Sequence, residues 1–291
     1  MWVGAEFDVG PSANTSDMSA MQEGAYAGLG RPVALRDLIP SPRHAAAVWM
    51  RNARVFSKLW KGVLLPQFID PLFYLVALGF GLGTYVARIN GVPYEDFIAP
   101  GLIASAAMWS AAFETTYNVY LRMNETRLYD AVLATPVEVQ DLVAGDLAWS
   151  ASRAAVYGTS FLVVVTLFGL VSSPWAVMIP LFVLLGGLCF SVVGYTFTSL
   201  IPKIDLYSYF FTLFITPMFL FSGIFFPFER LPGWVEVVAW FTPLFHMVEI
   251  TRGLATGPDA LEIAIHTAWL VVVSAALFYV PVRALRSRLV A

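Results

Sequence analysis

The chain has 291 residues, of which 58% are hydrophobic and only 13% charged, with a mean hydropathy of +0.72 and a formal net charge of −3. A water-soluble domain carries about 25% charged residues, so most of this chain has lipid as its solvent. The single cysteine, Cys189, excludes an internal disulfide and a cysteine-ligated metal cluster; within Gly-Leu-Cys-Phe it reads as a small inert hydrophobe.

Residues 1–40 mix Glu6, Asp8, Asp17 and Glu23 with Gly, Ser and Ala, without the basic start and apolar core of a signal peptide. They are expected to form a flexible cytosolic extension ahead of one membrane domain over residues 41–291. At 100° per residue, Val48, Trp49, Asn52, Val55, Phe56, Leu59, Trp60 and Val63 fall on one arc of a helix over 43–63. Arg43, Arg51, Arg54, Lys58 and Lys61 fall on the other. Such a helix lies in the inner membrane interface with its cations toward lipid phosphates. It reads as a simple anchor or as a brace that passes on movement from a cytosolic partner.

Six stretches reach the roughly 20 apolar residues that cross a bilayer: about 65–87, 96–119, 144–171, 175–200, 206–226 and 260–282. Asn90-Gly91-Val92-Pro93 turns the first pair, Ser172-Ser173-Pro174 the second, and Pro202-Lys203-Ile204-Asp205 separates spans four and five. With the N-terminus inside, Arg31, Arg36, Arg43, Arg51, Arg54, Lys58, Lys61, Arg122, Arg127, Arg153, Lys203, Arg283, Arg286 and Arg288 are cytosolic. Only Arg88, Arg230 and Arg252 are external. That asymmetry puts both termini in the cytosol. Asp70, before Pro71, reads as a cap or ion pair at the inner start of the first span.

Glu114 is the one convincing intramembrane charge. It lies inside an apolar stretch, where a carboxylate is costly unless paired or facing water. It reads as a lining or gating position, or as a structural pair between spans two and three, with Arg153 as its partner. The aromatic residues Tyr74, Tyr117, Tyr120, Tyr195, Tyr207, Tyr209 and Phe210 could face a central passage, stacking on sugars or sliding along alkyl chains. Ordinary belt or core packing explains each of them as well.

Between spans two and three, a helix over 125–133 sets Leu128, Tyr129, Val132 and Leu133 on one side and Arg127 and Asp130 on the other, and Pro136 closes it. It reads as a docking helix for a groove on a cytosolic domain or as a solvated loop held by ion pairs. After span five, residues 221–252 are apolar but broken by Pro227, Pro232 and Pro243. Irregular backbone at membrane depth survives only when buried in protein or lining a cavity, so two short helices are expected to re-enter from outside and narrow the exit. Phe221, Ser222, Gly223, Phe226 and Pro227 open this cap. His246, Glu249 and Arg252 share a helix face within it, as a hydrogen-bonded cap rather than a metal site, because no second histidine follows at helical spacing.

No G-x-x-x-x-G-K-[ST] loop is present to cradle nucleotide phosphates, and Gly79-Phe-Gly-Leu-Gly83 lacks the Lys-Ser or Lys-Thr that would follow. G-x-S-x-G, H-E-x-x-H and an intramembrane carboxylate pair are also missing, which argues against an intramembrane enzyme. A stand-alone secondary transporter would need intramembrane ion-coupling residues and usually an internal repeat; no repeat is visible.

Several stretches together resemble the permease subunits of type-2 ABC exporters, most of all the nodulation-factor (lipo-chito-oligosaccharide) export permeases and the daunorubicin-type drug exporter permeases. They are Asp70-Pro-Leu-Phe-Tyr74, Leu78-Gly-Phe-Gly-Leu-Gly83, Phe113-Glu-Thr-Thr-Tyr117, Arg122-Met123, Ala134-Thr-Pro136, Thr216-Pro-Met218, Phe221-Ser-Gly-Ile-Phe-Phe-Pro227, Leu231-Pro232, Pro243-Leu-Phe-His246 and Arg252. The resemblance implies an all-α membrane protein of six spans in the bacterial inner membrane. It also implies a homodimer with one ATP-binding subunit docked beneath each copy, ATP and magnesium being held by that separate subunit and nucleic acid having no part. Residues 43–63 correspond to the interface helix and 228–250 to the external re-entrant pair. In the family pattern the loop at 122–136 is the coupling helix, which implicates Arg122, Asn124, Glu125, Arg127, Leu128, Tyr129, Asp130, Val132 and Leu133 in contact with the ATPase. The implied cargo is amphipathic: lipid-linked oligosaccharide, other glycolipid, or hydrophobic drug.

Overall fold

A computed structural model of the protein describes residues 39–86, 88, 89, 91–201, 203–228 and 232–289. Nearly all of the expected N-terminal extension, together with Arg31, Arg36, Asn90, Pro202 and Arg230, lies outside the described residues, as do the side chains of Lys61, Val63 and Asp70.

Helix α1 spans Pro42–Tyr74, with proline in the first turn, where its missing N–H costs nothing. It continues without a loop through a wide π-helical stretch, Leu75–Leu82, into Gly83–Val86. The expected interface helix and first span are therefore one unbroken helical run. A two-residue turn with Gly91 at φ +82° then pairs β1 (Arg88–Ile89) with β2 (Val92–Pro93). Helix α2 runs from Tyr94 to Glu125 and widens into π turns at Glu114–Asn118 and Leu121–Glu125.

Arg127, at φ +48°, breaks the helical run and starts the short helix α3, Leu128–Leu133. The docking helix expected over 125–133 thus begins three residues later, because Glu125 still belongs to α2. Helix α4, Val139–Leu167, opens on a capping box formed by Glu138 and Asp141. Helix α5 covers Pro174–Leu200 and α6 covers Ile204–Leu220. The proline-broken segment folds into α7 (Gly233–Trp240) and α8 (Pro243–Thr256), and α9 (Ala260–Leu289) completes the described chain.

Among the described residues, α2, α4, α5 and α9 are long and apolar enough to cross a membrane, while Leu75–Val86 and α6 are shorter apolar helices. Helices α2, α4 and α5 form the centre. Helix α1 packs along α4, α9 along α5, and α8 against α2, α5 and α9. The α1–α4 contact requires Gly145, where a Cβ would fall 2.6 Å from both the Ala45 carbonyl oxygen and the Val48 Cβ. The larger apolar core lies toward α8. A smaller one at the α3 end gathers Val48, Met123, Tyr129, Leu142, Tyr195 and Leu285 from six helices.

Candidate functional site

At the α3 end the bundle buries two carboxylates and two guanidiniums. Glu114, at the start of the first π turn of α2, forms an ion pair with Arg122 Nη1 at 3.0 Å and accepts from Trp149 Nε1 at 3.1 Å, Asn118 Nδ2 at 2.7 Å and Arg153 Nη1. Asp146 accepts from Asn52 Nδ2 at 2.8 Å, from the Tyr195 hydroxyl at 3.4 Å and from the Tyr129 hydroxyl; Arg122 Nη2 stands 4.0 Å away. On α4, Asp146, Trp149 and Arg153 recur at i, i+3 and i+7, one helix face. The charges sum to zero, and each carboxylate has several donors, the condition under which buried ions are tolerated.

Glu114 and Arg153, the pair read from the sequence, meet here, with Arg122 sharing the same carboxylate. Glu114 is not the one buried carboxylate on a long apolar helix, however. Asp146, two residues inside the edge of its expected span, is 1% exposed. Asn52 is the lone polar side chain on an apolar arc, and a buried Asn in that position is itself a signal of a polar partner.

Tyr129 carries the network into α3. It is fully buried, donates to Asp146 and lies 3.0 Å from the Tyr195 hydroxyl. Burial pushes its phenol well above the ordinary range, so it remains a neutral donor. The residues expected to contact a partner therefore divide. Asn124, Glu125, Arg127 and Asp130 are exposed; Leu128, Val132 and Leu133 are half-buried; Tyr129 and the Arg122 side chain turn inward. It is the charged face of α3 that faces out, and the apolar face is taken up by the bundle. The Arg127–Asp130 pair, at 4.0 Å and largely exposed, adds little stability.

A second clamp, unforeseen in the sequence, joins α1 to the start of α4. Asp141 accepts from the Ser41 amide at 2.5 Å and the Glu138 amide at 3.2 Å, and its other contact is His44 Nδ1 at 3.1 Å. Together with Asn52 it holds α1 to the helix that follows α3.

The aromatic candidates separate too. Tyr195 is fully buried, Phe210 is 6% exposed and stacks on Phe197 at 4.6 Å, and Glu114 is 2% exposed. All three are largely covered by neighbouring helices within the single chain. Tyr74 and Tyr209 are exposed, and Tyr117 and Tyr120 are half-buried against Tyr207. Tyr74 borders a cavity of about 390 Å³ with Trp109, Phe113, Arg153 and Tyr157. Trp109, Phe113 and Tyr117, four residues apart on α2, stack against Phe211 of α6 at 5.9, 4.6 and 5.6 Å. The four-residue spacing of Trp109, Phe113 and Tyr117 is present in the sequence, but their shared partner Phe211 is set by the packing of α6 on α2.

At the opposite end, Arg252 donates to Glu249 at 2.7 Å and to the Gly223 carbonyl at 2.7 Å, and lies over the Phe97 ring. Gly223 adopts φ +79°, a backbone only glycine takes freely. Phe221 and Phe226 are exposed, whereas Ser222 and Pro227 are buried. His246 Nε2 lies 2.7 Å from the Trp240 carbonyl, which only accepts, so Nε2 carries the proton. Its Nδ1 faces His266 Nδ1 at 2.7 Å, and its ring stacks on Trp269. The second histidine comes from α9, twenty residues on, through tertiary packing rather than helical spacing. Burial lowers the His246 imidazole to about 4. Among the described residues, no group of three or more His, Cys, Asp or Glu could hold a metal.

These apolar helices, several of them long enough to span a bilayer, make the chain a multi-pass membrane protein. Residues 43–255 match the ABC-2 type transporter family, and the chain belongs to that family as a transporter permease. It is 34% identical to nodulation protein J of Sinorhizobium fredii, over 86% of this chain and 95% of that protein. It is 35% identical to nodulation protein J of Rhizobium meliloti, over 84% and 93%. The inner membrane transport permease YadH of Escherichia coli is 23% identical over 69% of this chain and 78% of its own length.

Proposed function

We propose that the chain is the membrane subunit of an ATP-driven exporter of the bacterial inner membrane, acting as two copies with two ATP-binding subunits. In this reading the chain crosses the membrane six times, with both termini in the cytosol and α7–α8 re-entering from outside. Its cargo is an amphipathic molecule, glycolipid-like or hydrophobic and drug-like, and residues 1–40 form a cytosolic extension. The observation that carries the reading is the division of α3: Arg127 and Asp130 face outward, while Tyr129 is hydrogen-bonded into Asp146 and Tyr195 on two long apolar helices. A push on the outer face would reach the bundle through that hydroxyl and the charges behind it. Similarity to the nodulation proteins J over nearly their whole length supports the reading. Secondary, ion-coupled transport is disfavoured, since both Glu114 and Asp146 are occupied by fixed donors. The test is to purify the chain from its native host in mild detergent and ask whether an ATPase subunit accompanies it. Arg127→Ala/Asp130→Ala should then leave the permease dimer assembled while export stops and ATP hydrolysis persists. A permease that exports with no ATPase attached would refute the proposal.

A further inference from the structure

Between α1, the lower end of α2 and α4 lies a second cavity, of about 550 Å³, within the roughly 300–1,000 Å³ of small-molecule sites. Its polar wall carries Arg51, Arg122 and Arg153 against one carboxylate, Glu114. Each arginine keeps at least one N–H that no described group accepts: Nη1 of Arg51, Nε and Nη2 of Arg122, and Nε of Arg153. Arg122 Nη2 lies 4.0 Å from Asp146, beyond hydrogen-bonding reach. Buried donors left unused are costly. With Glu114 and Asp146 offsetting Arg122 and Arg153, the lining keeps the positive charge of Arg51 and the unused N–H groups of all three arginines.

The rest of the lining mixes Asn52, Asn118 and Thr126 with Phe56, Trp149 and a border of aliphatic side chains. Val55 and Leu59 of α1 and Leu121 of α2 border the cavity and are 57%, 61% and 44% exposed. On a protein in lipid these side chains face acyl chains. Arg51, on the basic arc of α1, turns toward the polar wall and donates to Asn52 at 2.7 Å. Guanidiniums are the side chains best suited to bidentate contact with phosphate oxygens.

We infer that this cavity is a binding site for the phosphate headgroup of an anionic phospholipid from the cytosolic leaflet, with its chain lying along Val55, Leu59 and Leu121. A soluble phosphate ester would answer the arginines but leave the aliphatic border uncovered; a neutral zwitterion would carry its own cation against Arg51. The bound lipid bridges α1 to the α2–α3 junction, so the anionic lipid content of the leaflet would set how firmly α3 is held. The inference rests on the orientation proposed above, with the α3 end toward the cytosol, and stands apart from the export reading.

The experiment is native mass spectrometry of the full chain reconstituted in equimolar synthetic phosphatidylglycerol and phosphatidylcholine, a mixture that contains no cargo. Retained phosphatidylglycerol should exceed phosphatidylcholine about fivefold, a preference of the size one basic residue gives at a membrane surface. Arg51→Gln and, separately, Val55→Glu, which changes only an exposed side chain at the mouth, should each bring the ratio toward parity. Arg54→Gln, a basic residue of α1 outside the cavity, should leave it unchanged. Equal retention of the two lipids by the native chain would overturn the inference, as would loss of preference in Arg54→Gln alone. Full displacement of the retained lipid by glycerol phosphate, which has no chains, would also overturn it.

Discussion

Substituting Glu114 by Gln removes one charge from the centre of the network and leaves the shape of the side chain almost unchanged. Natively, Glu114 and Asp146 offset Arg122 and Arg153. After the change one buried guanidinium charge has no counterpart, and the ion pairs to Arg122 and Arg153 lose their carboxylate. Leaving one side of a buried pair unmatched costs about 3–5 kcal/mol. The arginine side chains are 15% and 19% exposed, so solvent relieves part of that, and about 3 kcal/mol is expected. Arg153→Gln should cost less, because Glu114 keeps Arg122 at 3.0 Å and two neutral donors. The double variant Glu114→Gln/Arg153→Gln restores neutrality, so its cost should fall short of the sum of the singles by about 2 kcal/mol. Cys189 supplies the assay: it is the sole cysteine and is buried, so a thiol-reactive dye reports unfolding in detergent. Glu114→Gln within about 0.5 kcal/mol of the native chain, or strict additivity in the double variant, would refute the argument.

Tyr129→Phe keeps the packing of α3 but deprives Asp146 of a donor, at about 1.5–3 kcal/mol for a hydrogen bond to a charged group. Melting by Cys189 reactivity should fall accordingly, and in the proposed complex transport should drop further than ATP hydrolysis. Gly145→Val forces a Cβ into the Ala45 carbonyl and Val48, each 2.6 Å away, and should separate α1 from α4. Limited proteolysis after Arg43 or Arg51 reads that separation, and native resistance in the variant would count against it. For His246 the folded value of about 4 lies below the ordinary 6.5, so the unfolded segment binds more protons between those values. The stability His246 lends to α8 is complete above pH about 6.5 and is lost as pH falls toward 4. Amide protection in Pro243–Thr256, taken relative to the intrinsic exchange rate at each pH, should fall over that range, and His246→Gln should flatten the dependence.

Hydropathy settled the class of protein from the sequence, because lipid as solvent dictates long apolar runs and few charges. The break after span two, the proline-split segment after α6 and the Glu114–Arg153 pair were also legible. Each follows from a local rule: helix period, proline geometry, or the cost of an unpaired charge. The rest needed three dimensions. Helical periodicity gave α3 its two faces but could not say which one points outward, since that depends on Asp146 and Tyr195 waiting beneath Tyr129. It placed Tyr195 and Phe210 on apolar helices without showing that neighbouring helices cover them. Asn52, Asp141 and His44 acquire meaning only when α1 lies on α4, a contact that Gly145 permits and that joins residues some 94–100 positions apart. Sequence fixes periodicity and charge along one helix; which faces meet is decided by packing between helices far apart in the chain, and the buried network exists only there.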